Sequence, residues 1–181
     1  MPLALDGMIP TEPLRHCQSA YAARTLQTLV DKEKLRQRLM ATFLAELEEH
    51  VDVLDRVLLD MEKGGSRDGE PLQLVLRTLH SLKGASASVG IPSIRSACHA
   101  LESLCVAARD GTHALESMEL RACFGVLDAI RDAAARLKDH RALDGAPIVQ
   151  VPVTIEALLS GSGTEQAPPA WSAPIESPGP L

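Results

Sequence analysis

The chain has 181 residues, 45% of them apolar, with 18 Lys and Arg against 24 Asp and Glu and a formal charge of −6. That length suits one domain of ordinary size with extensions, since domains usually run to about 100–150 residues. The acidic balance excludes a general nucleic-acid binder, and four aromatic residues are too few for base-stacking platforms. No apolar run approaches the roughly 20 residues that span a bilayer, so no membrane partner is expected.

Residues 1–18 hold Pro2, Pro10 and Pro13 and read as irregular. The opening MPLALDGMIP lacks the basic start of a secretory signal and is interrupted by Asp6. Residues 19–38 read as a modest helix, with Ala23, Leu26, Val30 and Leu35 loosely periodic. It either extends the bundle that follows or pairs two copies of the chain. A strong helix comes next, with Met40, Phe43, Leu47, Val51, Leu54, Leu58 and Met61 at steps of three and four. Its opposite face carries Glu46, Glu48, Glu49, Asp52 and Asp55, a solvated acidic face. Gly64-Gly65-Ser66 ends it.

Pro71 suits the first turn of a second helix, which runs to about Ser88 on a stripe of Leu72, Val75, Leu76, Leu79 and Leu82. Gly90-Ile91-Pro92 breaks the chain and opens a third, with Ile94, Ala97, Cys98, Leu101, Leu104, Cys105 and Ala108 as its stripe. After Asp110-Gly111 a fourth uses Leu120, Cys123, Phe124, Leu127, Ile130, Ala134 and Leu137. Four amphipathic helices with short connections predict an all-α, antiparallel up-down bundle. The predicted division is a partly helical extension over 1–35, the bundle over 36–141, and a flexible tail over 142–181. Seven prolines fall between Pro147 and Pro180, and within that stretch IVQVPVTIEALL has the makings of one short element.

Cys17, Cys98, Cys105 and Cys123 form no CxxC pair, and three of them fall on apolar stripes. They read as reduced core thiols of a cytoplasmic protein. His16, His50, His113 and His140 read as solvated, and no two of them stand at the i, i+4 spacing of a helical metal site. No metal or cofactor is expected.

The informative residues lie on the second and third helices. At about 100° per residue, His80 sits at the edge of the second helix's buried stripe, with access to water. Gly84, one turn on, faces outward, and a glycine inside a helix costs about 1 kcal/mol relative to Ala. Clearance for a partner surface is a reason for it. Arg77 and Lys83 flank His80 at three residues on either side and set cationic heads beside the imidazole. On the third helix, Glu102 also lies at the seam, and His99 points further out. An antiparallel pair would bring Glu102 against His80, fixing the tautomer and leaving the other ring nitrogen nucleophilic. Taken singly, His80 is an ordinary surface histidine, and Arg77 and His99 are ordinary polar surface.

The run LHSLKGASASVG (79–90) resembles the H-x-x-K-G signature of histidine phosphotransfer (HPt) domains, and most nearly the N-terminal domain of CheA-type chemotaxis kinases. The resemblance continues through SIRSACHALESLCVAARDG, with a second His and a Glu 19 and 22 residues after the first, here His99 and Glu102. It covers about residues 36–141. Ala85 departs from a frequent second glycine, and Val89 from a frequent aromatic. The resemblance implies that His80 is the phosphoacceptor, Glu102 its hydrogen-bond partner, Lys83 and His99 polar support, and Gly84 and Arg77 docking positions. It implies a response-regulator receiver domain as partner, supplying Mg²⁺ and an aspartate, and a sensor or CheA-type histidine kinase upstream. No Gly-rich ATP-binding boxes accompany the motif, and GSG at 161–163 is not a phosphate loop. The chain is therefore expected to carry phosphoryl groups without being an autonomous kinase. Two alternatives stand beside that reading: a phosphoacceptor piece of a CheA-type kinase, and a non-catalytic helical adaptor or inhibitor docking on a receiver or kinase.

Overall fold

A computed structural model describes residues 12–161, with the side chains of Gln27 and of residues 30–161. Residues 1–11 of the predicted irregular start and the far end of the predicted tail, 162–181, lie outside the described residues, as does the side chain of Cys17. Residues 12–18, expected to be irregular, are already helical, with Pro13 in a first turn where no N–H is needed. Five α-helices follow in order: α1 Glu12–Glu62, α2 Gly69–Ser88, α3 Pro92–Arg109, α4 Ser117–Lys138 and α5 Val151–Leu159, with a 3-10 turn at Pro147–Val149 before α5. Among the described residues there is no strand. None of these helices is long and apolar enough to cross a membrane.

By its contacts the chain divides into two units, the first ending at Ala41 and the second beginning at Thr42. In the first, residues 31–39 are exposed on every side, including Leu35 and Leu39. Where the sequence suggested two helices, 19–38 and one starting near Met40, α1 is uninterrupted. Nothing between Leu35 and Phe43 breaks it, since that run has no Gly or Pro.

The second unit is the bundle. Phe43, Leu47, Val51, Leu54, Leu58 and Met61 of α1 are buried, as are Leu72, Val75, Leu79 and Leu82 of α2 and Ile94, Ala97, Cys98, Leu101, Leu104 and Cys105 of α3. Leu76, Ala108, Phe124 and Leu137, expected on the stripes, are only half-buried. They stand at the margins of their stripes, where the seam opens to solvent. Two ion pairs fix the direction of α1 against α4: Glu48 with Lys138, and Asp55 with Arg131. As one number rises the other falls, which is the antiparallel arrangement. Arg131 also reaches Asp52 at 3.8 Å and Asp128 at 3.5 Å.

The connections follow from local chemistry. Gly90 takes φ +76° and Gly111 φ +71°, conformations that an L side chain rarely adopts, so each stops its helix. Glu119 accepts a hydrogen bond from the Glu116 backbone N–H at 3.0 Å, closing a capping box at the start of α4. Its other oxygen lies 3.2 Å from His113 Nε2, so this histidine is half-buried and bonded rather than solvated as expected. Arg67 donates to the carbonyls of Met61 at 3.3 Å and Leu115 at 2.8 Å, tying the end of α1 to the entry of α4.

The predicted tail needs the largest correction. Residues 147–159 are helical and packed, with Ile148, Val151 and Ile155 at 1% exposure or less. Their steps of three and four make an apolar stripe, and Pro147 and Pro152 stand in first turns where no N–H is needed. The proline count thus marked helix starts here. The helix α5 packs on α3 and α4. Val126, Ala129 and Ala133 of α4 are buried accordingly, in a second stripe beside the expected one.

Candidate functional site

His80 projects from the edge of α2 with its side chain 74% exposed, while Glu102 of α3, facing it, is only 18% exposed. The seam places them so because Leu79 and Leu82 on one helix and Leu101 and Cys105 on the other turn inward. His80 Nδ1 lies 3.3 Å from Glu102 Oε1. The second carboxylate oxygen accepts from Lys83 Nζ, one turn along α2 and 25% exposed. Both oxygens of a covered carboxylate are therefore bound by groups of the neighbouring helix.

Burial pushes the Glu102 carboxyl up, but the hydrogen bonds and charges of Lys83 and His80 outweigh it and hold the group below the usual carboxylate range. Glu102 is thus ionised at neutral pH, and a carboxylate oxygen can only accept. The facing nitrogen, Nδ1, must carry the hydrogen. Neutral His80 then has its lone pair on Nε2, on the solvent side. A carboxylate beside one ring nitrogen both orients the ring and stabilises positive charge that develops on it.

The other sequence candidates lie apart from this triad. His99 is exposed on α3, and its Nδ1 is 3.3 Å from Ser103 Oγ, so its bond runs along its own helix. Arg77 is turned away from the imidazole it was expected to flank, donating to Glu70 at 2.7 Å. Glu70 was not anticipated, although a spacing of seven residues puts two side chains on one helix face two turns apart. Gly84 is exposed, and a Cβ built there would meet nothing within 4 Å. Its own fold does not require glycine at that position.

The buried cysteines do not compete as reactive centres. Burial, with a contribution from the Glu102 charge, pushes the Cys98 and Cys105 thiols up to about 12, and burial raises Cys123 as well. Among the described residues no group of three or more His, Cys, Asp or Glu is placed to hold a metal ion.

The Hpt domain family profile matches residues 38–161, from within α1 to just past α5. The chain belongs to the Hpt domain family. It is similar to the chemotaxis protein CheA of Rhizobium meliloti (strain 1021), 29% identical over 136 residues that make up 75% of this chain and 18% of that protein. It is also similar to CheA of Halobacterium salinarum, 31% identical over 91 residues, 50% of this chain and 14% of the relative. To the gliding motility regulatory protein of Myxococcus xanthus it is 29% identical over 144 residues, 78% of this chain and 17% of that protein. The chain thus spans less than a fifth of the length of these relatives.

Proposed function

We propose that this Hpt chain carries a phosphoryl group on His80 Nε2, accepting it from a kinase or a receiver-domain aspartyl phosphate and passing it to a receiver aspartate. The observation that carries the reading is the 3.3 Å approach of His80 Nδ1 to a covered, ionised Glu102, which in the neutral ring directs the lone pair to Nε2, on the solvent side. In the transfer, the Nε2 lone pair attacks phosphorus. An N–P bond forms as the acyl P–O bond breaks, and the receiver carboxylate leaves with the electron pair. Positive charge on the ring is stabilised through Nδ1–H by Glu102, with Lys83 holding the carboxylate in place. The receiver contributes Mg²⁺ and its acidic pocket, and Gly84 gives it room to approach. Similarity to chemotaxis and gliding-motility proteins favours a motility pathway in the cytoplasm as the setting.

The test is phosphotransfer from a charged receiver domain to wild type and to His80→Gln, with the acid and alkali stability of the label recorded. Acid-labile, alkali-stable label on wild type alone is expected. Label that survives on the variant would remove His80 from the role. Binding of receivers without any label would favour an adaptor that only docks. The CheA relatives favour one further variant of the reading, in which the donor is a CheA-type kinase core with ATP acting on this chain as its substrate. Transfer from that core and not from charged receivers would identify it.

A further inference from the structure

Phosphorylation of His80 would add close to two negative charges at a place where the local cations are already neutralised. Lys83 is one turn after His80, but its ammonium is committed to Glu102 at the covered base of the site. Arg77 is one turn before, and its guanidinium is held by Glu70 through a bond of 2.7 Å. These two pairs differ in how easily they part. Lys83 and Glu102 are 25% and 18% exposed, whereas Arg77 and Glu70 are 58% and 76% exposed. An exposed ion pair is worth little, so exchanging its partner costs little. Glu70 also lies in the first turn of α2, where the helix N-terminus favours a negative side chain without Arg77.

The geometry allows the exchange. Side chains three residues apart on a helix have Cβ atoms about 5–6 Å apart, within the span of an arginine. A guanidinium can grip a phosphoryl group with two parallel N–H bonds, which a single carboxylate oxygen does not fully use.

Resting on His80 as the phosphoacceptor, we infer that Arg77 is a transferable clamp, parked on Glu70 in the free protein and moving to the phosphoryl oxygens once His80 is charged. Glu70 then acts as a competitor that keeps the phosphohistidine from becoming too stable to pass its group on. Glu70 sets the set-point, and Arg77 supplies the grip. This differs from a docking role for Arg77, because it operates with no receiver present.

The experiment uses the full chain and phosphoramidate as a small-molecule donor, with the partition between free and phosphorylated protein read by phosphorus NMR. Arg77→Gln should lower the phosphorylated fraction at equilibrium by about threefold to tenfold. Glu70→Gln should raise it by about twofold to threefold, and the double variant should match Arg77→Gln alone. All three should melt within a degree or two of wild type, since the pair is exposed. Equal partition in wild type and Arg77→Gln would overturn the clamp. A Glu70→Gln effect that persists without Arg77, or an Arg77 effect seen only with a receiver present, would overturn it too. Absence of any label on wild-type His80 would instead overturn the functional reading on which it rests.

Discussion

Removing the Glu102 carboxylate probes the site without touching the nucleophile. In Glu102→Ala the His80 ring loses its orienting acceptor and Lys83 loses its counter-charge. A hydrogen bond to a charged group contributes about 1.5–3 kcal/mol when well formed. The His80 bond is 3.3 Å long and its imidazole is 74% exposed, which puts it toward the low end. Taking about 1–2 kcal/mol in the transition state, single-turnover transfer from a charged receiver should slow by roughly fivefold to thirtyfold. Glu102→Gln keeps an oxygen that can accept from Nδ1 but not the charge, so it should fall between Ala and wild type. Stability should drop by only about 1 kcal/mol, because Lys83 can turn to water. The pH dependence follows from the direction of the shift. The folded carboxyl titrates below its unfolded value, so its contribution is fully present above the ordinary carboxylate range and is lost as pH falls through the depressed folded value. Glu102→Gln should therefore remove part of the acid-side loss of stability in urea midpoints measured from about pH 6 downward. Transfer at the wild-type rate by Glu102→Ala would refute the orienting role.

Four further outcomes are expected. Gly84→Ala should raise stability by up to about 1 kcal/mol, since its Cβ meets nothing within 4 Å. Gly84→Gln should slow transfer with a receiver while leaving phosphorylation by phosphoramidate unchanged, and equal slowing of both would contradict the clearance role. Ile155→Ala, at 1% exposure, should cost about 2–4 kcal/mol in denaturant unfolding, whereas a loss under 0.5 kcal/mol would be that of a loosely attached segment. Cys98 and Cys105, with thiols pushed up to about 12, should resist a thiol reagent at pH 8 in the native protein and react on unfolding. Fast native labelling at either position, located by peptide mapping, would show that these sulfurs are not buried.

The bundle was legible because Leu, Val, Ala and Cys recur at helical steps and because Gly90 and Gly111 punctuate them. The seam was legible too, since stripe geometry alone put His80 and Glu102 at the facing edges of α2 and α3. Two things were not. Proline reads as a breaker in composition, and only its position in a first turn shows that Pro147 and Pro152 begin helical segments over a buried Ile148, Val151 and Ile155. The direction of a long, exposed side chain is not set by helical phase either. Arg77 has Glu70 on one side and His80 on the other, and the sequence offered no means of choosing between them. His113 was missed for a similar reason, because its partner Glu119 is positioned by a capping box.

The most direct measurement is to phosphorylate the ¹⁵N-histidine-labelled protein with phosphoramidate and locate phosphorus by its coupling to the ring nitrogens. A single phosphoryl group on Nε2 of His80, with Nδ1 still protonated, is the expected result. Phosphorus on Nδ1 of His80, or on any other histidine, would contradict the arrangement of Glu102 and His80 as the chemical centre of this protein.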